Sequence, residues 1–112
     1  MKLRLYISGP IKGVPNAGEN FRRAHETLEG AGHEPLNPFD CLPNCGYSTE
    51  CPGEATDEHY DHYLRGDLIE MLACDGVALI DGWEASRGAR IEQTVAVQVG
   101  MPVRRLDEWL AS

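Results

Sequence analysis

The sequence predicts an α/β fold, a flavodoxin- or Rossmann-like three-layer sandwich with a small, mainly parallel sheet of about four or five strands. Three observations predict it. Short strand patterns alternate with helical ones along the whole chain in the order βαβαβαβ, which requires crossovers and places helices on both faces of a parallel sheet. Asp75 to Ile80 (Asp-Gly-Val-Ala-Leu-Ile) is a continuous apolar run, the pattern of a strand covered on both sides. The chain has 112 residues, 42% hydrophobic and 25% charged, enough for one core and too few for two domains. Residues 1–112 are therefore read as a single domain.

Each element has its own signal. Leu3 to Ser8 reads as a first strand and ends at Gly9-Pro10. Residues 17–30 carry Phe21, Ala24, Leu28 and then Ala31 at helical spacing, with Gly30 and Gly32 marking the end. His33 to Leu36 is a short strand before Asn37-Pro38. Residues 38–57 are rich in Pro, Gly, Asn, Cys and Ser and read as one long loop, a length usually kept for function. Residues 58–73 form a second helix with Leu64, Leu68, Met71 and Leu72 on its apolar side. After the strand at 75–80, residues 87–99 form a third helix behind Ser86. Pro102 to Arg104 is a last short strand, and Leu106 to Leu110 closes as a helical turn.

The formal net charge of −8 repels nucleic-acid polymers and anionic membranes. An anionic ligand then needs a local site, which favours a small nucleotide. No stretch is long enough to span a bilayer, and Met1 to Tyr6 runs into a strand without a signal-peptide core. The expected compartment is the cytoplasm, where Cys41, Cys45, Cys51 and Cys74 stay reduced. The spacing of Cys41, Cys45 and Cys51 does not match paired zinc knuckles, although His59 or His62 would complete a zinc site. Thiols in a lid loop are the favoured reading, and no metal or other cofactor is assigned.

In parallel sheets ligands bind at the carboxyl ends of the strands, where strand order reverses. Two loops reach that edge, Ser8 to Gly13 and Asp81 to Gly88. Glu92 is the strongest anomaly nearby, because Ala89, Val95, Ala96 and Val99 surround it at helical spacing. A carboxylate on an apolar stripe is costly unless paired or functional. The plainer reading is a core-edge Glu tied to an Arg or a backbone amide. Asp67 is a second acid, flanked by Tyr60, Tyr63, Leu64 and Met71, and alone it reads as an exposed acid at a stripe boundary. Two acids brought from two helices to one sheet end suit glycosidic cleavage, in which one attacks or stabilises the sugar cation and the other moves the proton.

The segment from Gly82 to Ala89 opens the third helix. Ser86 is its N-cap, Gly88 admits a ligand close to the backbone, and Arg87 adds charge to an anion-attracting helix end. Ser8, Gly9, Ile11 and Lys12 form the facing wall of this phosphate site. For these segments the plainer reading is a capped helix and a tight turn. Trp83 stacks on a base or packs, and packing is the simpler reading.

Together, Tyr6-Ile-Ser-Gly-Pro-Ile-Lys-Gly13, Asn37-Pro38, Asp67 to Asp75 and Gly82 to Glu92 resemble the nucleoside 2-deoxyribosyltransferase superfamily, in its small phage and bacterial branch. The resemblance implies that Tyr6 orients a catalytic Glu92, that Asp67 assists as proton donor, and that Ser86 faces the 5′ end of the sugar. A Ser there, where nucleoside transferases carry Asp, is similar to the deoxynucleoside 5′-monophosphate N-glycosidases. Physically, an Asp repels a phosphate and a Ser holds it. Pro10 departs from them, standing where they carry a phosphate-binding Ser. The implied activity is N-glycosidic cleavage of a (deoxy)nucleoside 5′-monophosphate to base and sugar phosphate. The alternatives are deoxyribosyl transfer and a non-catalytic nucleotide sensor or sponge. The resemblance also implies a homodimer or higher oligomer.

Overall fold

Four strands form one sheet in the order β2-β1-β3-β4, and every neighbouring pair is parallel. The architecture is that of a computed structural model, which describes residues 2–11, 13–41 and 60–110. The elements run β1 (Arg4–Ser8), α1 (Ala17–Gly30), β2 (Glu34–Leu36), α2 (Tyr60–Leu72), β3 (Gly76–Leu79), α3 (Arg87–Gln98), β4 (Val103–Arg105) and α4 (Leu106–Leu110). The chain leaves β1 on one side to make β2, then returns on the other side to make β3. Strand order therefore reverses between the carboxyl ends of β1 and β3, which is where such folds open a ligand crevice.

β1 sits inside the sheet, with Tyr6 opposite Leu36 on one flank and Val77 on the other. Leu5, Tyr6, Ile7 and Ser8 are all buried, so the strand is covered on both faces. Side chains alternate between faces along a strand. Leu5 and Ile7 join Phe21, Ala24 and Leu28 of α1 and Trp109 of α4 in one apolar cluster. Tyr6 joins Met71 of α2 and Ala96 of α3 in the other. The sandwich is thus α1 and α4, then the sheet, then α2 and α3. Full burial of each large apolar side chain contributes about 1.5–3 kcal/mol.

The structure corrects the predicted faces at three residues. Ala31 lies past α1 as its C-cap and is exposed. Leu72 is 48% exposed, because it turns away from the sheet one step after the buried Met71. Val99 is 57% exposed at the C-cap of α3, where the chain leaves the helix. The predicted long loop begins with a 3-10 turn at Pro38–Cys41, and the Asn37 side chain accepts from the Phe39 amide at 3.0 Å. The rest of that loop lies outside the described residues.

α4 is short but firmly seated. Trp109 is buried, and its indole Nε1 donates to the Val77 carbonyl at 2.8 Å. Gly76 makes room for the ring, since a Cβ there would stand 2.9 Å from Trp109 Cζ2. The Arg104 guanidinium covers the ring at 5.0 Å from its centroid. No helix of the described residues is long and apolar enough to cross a membrane.

Candidate functional site

The period of two along β1 places Tyr6 and Ser8 on the face covered by α2 and α3. The start of α3 is fixed by Ser86, whose Oγ accepts from the Ala89 amide at 3.2 Å, as expected of an N-cap. From that start, Ala89, Glu92 and Ala96 fall on one helix face, and all three are buried. Glu92 is 5% exposed and meets β1 directly. Tyr6 Oη donates to Glu92 Oε2 at 2.5 Å, and Ser8 Oγ donates to Oε1 at 2.7 Å. Among the described residues Glu92 is thus held by two hydroxyls of one strand, and not by the Arg or backbone amide of the plainer reading. Hydrogen bonds of this kind to an ionised acceptor are short and strong.

Burial and hydrogen bonding pull the Glu92 carboxyl in opposite directions. Burial favours the neutral acid and pushes its pKa up to about 7, while the bonds from Tyr6 and Ser8 hold it back. Asp67, from α2, is pushed up to about 8, first by burial, then by the charge of Glu92 and that of Glu70. Near neutral pH the pair therefore holds a proton, and it rests mainly on Asp67. Hydroxyl donors favour the ionised form at Glu92, and a neighbouring negative charge favours the acid form at Asp67. An acid and a nucleophilic carboxylate separated by their surroundings are the equipment of general-acid-assisted displacement.

The two predicted loops do meet. The Ile80 amide donates to the Ser8 carbonyl at 3.0 Å, extending the pairing of β1 and β3 beyond the strands. A Cβ on Gly9 would stand 2.2 Å from Ile80 Cγ1, so glycine there permits the contact. Gly82, at φ +89°, leaves 3.1 Å between the Cβ it lacks and Pro10 Cγ. Pro10 therefore packs across to the loop after β3.

Not every predicted site residue reaches the acids. Ile11 packs against the Leu5 and Ile7 cluster, on the opposite side of the sheet from Glu92. Trp83, partly buried in a 3-10 turn, packs against the Tyr6 cluster on the same side as Glu92. Arg87 is exposed and Gly88 partly buried in the first turn of α3. Lys12 lies outside the described residues. The zinc reading of Cys41, Cys45, Cys51, His59 and His62 rests on side chains that also lie outside them. Among the described residues no group of three His, Cys, Asp or Glu side chains is placed to hold a metal ion. The Cys74 thiol, partly buried, donates to the Glu70 carbonyl at 3.5 Å.

Sequence reasoning did not foresee the bond between Ser8 and Glu92. The available signal was position: Ser8 is a polar residue two places after Tyr6, facing inward on a strand buried on both sides.

A family model described as Domain of unknown function (DUF4406) matches residues 3–105. The chain belongs to this family. No curated protein and no solved structure matches it. In this DUF4406 domain the matched span takes in Tyr6, Ser8, Asp67, Ser86 and Glu92, and it stops short of Trp109.

Proposed function

We propose that the protein is an N-glycosidase of a (deoxy)nucleoside 5′-monophosphate. The observation that carries this reading is the pair of raised acids, with Glu92 held by two hydroxyls and Asp67 in the acid form beside it. Glu92 attacks C1′ while the bond from C1′ to the base nitrogen breaks, and Asp67 gives its proton to the leaving base. Water then attacks C1′, the bond to Glu92 breaks, and the proton of the water returns to Asp67. The products are free base and sugar 5-phosphate. No cofactor enters this scheme.

The capped start of α3 supports a phosphate at the 5′ end. First-turn amides have no acceptor within their helix, and the helix dipole favours an anion there. Ser86 Oγ accepts from Ala89, which leaves its own O–H to donate to a phosphate oxygen. Gly88 and Arg87 extend the same end. On this reading the protein acts on a free nucleotide in the cytoplasm as a homodimer or higher oligomer. The exposed apolar residues Ile69 and Leu72 of α2 and Val97 of α3 suit such an assembly.

The test is base release from a panel of nucleosides and nucleoside 5′-monophosphates, with wild type beside Glu92→Gln. Release from the monophosphates, lost in the variant while nucleotide binding persists, is expected. Release that survives in Glu92→Gln overturns the assignment. Release that requires a second free base identifies a deoxyribosyltransferase. Tight nucleotide binding without release, unchanged by the substitution, identifies a binding module.

A further inference from the structure

Ser8 lies at the end of β1, where a phosphate contact and a carboxylate contact compete for the same hydroxyl. A serine hydroxyl has one proton to donate, whereas an ionised carboxylate and a phosphate oxygen only accept. While Glu92 is ionised, the proton between Ser8 Oγ and Glu92 Oε1, 2.7 Å apart, is the one from Ser8. None remains for a phosphate. Ser8 is also 1% exposed, so a ligand arriving at the sheet edge does not meet its side chain.

We propose that Ser8 is a positioning residue for Glu92 and not a phosphate contact. Its hydroxyl fixes Oε1 as the Tyr6 hydroxyl fixes Oε2, so two inward positions of one strand set both the rotation and the protonation of the carboxylate. The groups around Glu92 leave this role to the hydroxyls. β1 presents Tyr6 and Ser8, and α2 presents Asp67 with Glu70 acting on it, both of which disfavour a further negative charge. β3 runs Gly76, Val77, Ala78 and Leu79 and offers nothing that titrates. Along α3 the other buried residues are Ala89 and Ala96. Removing the Ser8 hydroxyl therefore makes ionisation of Glu92 harder, since among the described residues burial is opposed by the hydroxyls of Tyr6 and Ser8.

The kinetic consequence rests on the glycosidase reading, and the electrostatic one does not. The experiment has two arms, each run on wild type, Ser8→Ala and Ser8→Thr. The first is a pH titration of carboxyl-13C-labelled protein by NMR, with the Glu92 signal assigned by its absence from Glu92→Gln. Ser8→Ala is expected to move the Glu92 titration upward, and Ser8→Thr, which restores a hydroxyl, to bring it back. Ser8→Cys, close in size to serine, stands in should the added methyl of Thr prevent folding, and a partial return is then expected from its weaker donor. The second arm is base release. Ser8→Ala is expected to lower kcat roughly ten- to hundredfold, the worth of a hydrogen bond to a charged group. The preference for monophosphate over nucleoside should stay unchanged, and the acid limb of the pH profile should move upward.

An unmoved Glu92 titration overturns the proposal. So does a loss confined to KM for phosphate-bearing substrates, the mark of a phosphate contact. If wild type releases no base, the glycosidase reading falls, and the titration alone decides the role of Ser8.

Discussion

The hydroxyl of Tyr6 stands 2.5 Å from Oε2 of Glu92, although the two residues lie at opposite ends of the chain. Tyr6→Phe keeps the buried ring and deletes only the donor. The fold should hold, because the apolar cluster around the ring keeps its volume. In the proposed glycosidase reaction base release should fall roughly ten- to hundredfold with KM little changed. Steady-state kinetics beside a thermal melt checks both, and an unchanged kcat would remove Tyr6 from the machinery.

The pH profile of kcat/KM should be a narrow bell. In the proposed reaction activity should rise as Glu92 ionises and fall as Asp67 loses its proton, with apparent values near the 7 and 8 to which burial pushes the two acids. The two limbs belong to the pair as a unit. Asp67→Asn should remove the alkaline limb and slow release by about 10²–10⁴-fold, the usual worth of a placed general acid. A profile flat from pH 6 to 9 would exclude this pairing of roles.

The same acids set a pH dependence of stability. Both titrate higher in the folded chain than in the unfolded one, Asp67 rising from an ordinary 3.8 to about 8 and Glu92 from 4.5 to about 7. Between these limits the folded state binds more protons. The stability from keeping the acids neutral is complete below pH ~4 and is lost as pH rises towards ~8. Glu92→Gln removes one of the two contributions, so it should match wild type near pH 4 and exceed it near pH 8 by on the order of 1–2 kcal/mol. Urea denaturation at the two pH values measures the difference. A variant less stable than wild type at pH 8 would show that the Glu92 charge is well accommodated.

Gly9→Ala tests the join between the two loops. The new methyl would fall 2.2 Å from Ile80 Cγ1, so Ile80 or the strand end must shift. A cost of about 1–3 kcal/mol is expected, as for other overpacked sites. Gly13→Ala serves as the comparison, since a Cβ there meets nothing within 4 Å but takes on the strain of φ +79°. Equal melting temperatures for Gly9→Ala and wild type would refute the tight contact.

The sheet was legible because its signals are local. The apolar run at 75–80, the turn at Gly9-Pro10 and the helical spacing of Phe21, Ala24 and Leu28 each needed only a few neighbours. Ser86 as N-cap was legible for the same reason. Leu72 and Val99 were misjudged because a hydrophobic residue at a helix end satisfies the periodicity whether or not the last turn still faces the sheet. The burial of Glu92 could be read from its stripe, but its partners could not. Which hydroxyls meet it depends on how α3 lies across β1, and that is set by packing between segments far apart in sequence. Ile11 shows the same limit, since a residue in the right loop can turn to the wrong side of the sheet.

The central place of β1 has a consequence for how the molecule is made. β1 is an inner strand made before either of its neighbours, and its flank towards β3 waits for residues 76–79. β2 arrives early enough to cover one edge, which leaves an apolar strand with the other edge open until β3 has been made. Trp109, which follows the other residues of the Leu5 and Ile7 cluster in the chain, closes it later still. A chain cut short before α4 would thus leave an apolar inner strand uncovered, a substrate for chaperones and proteases.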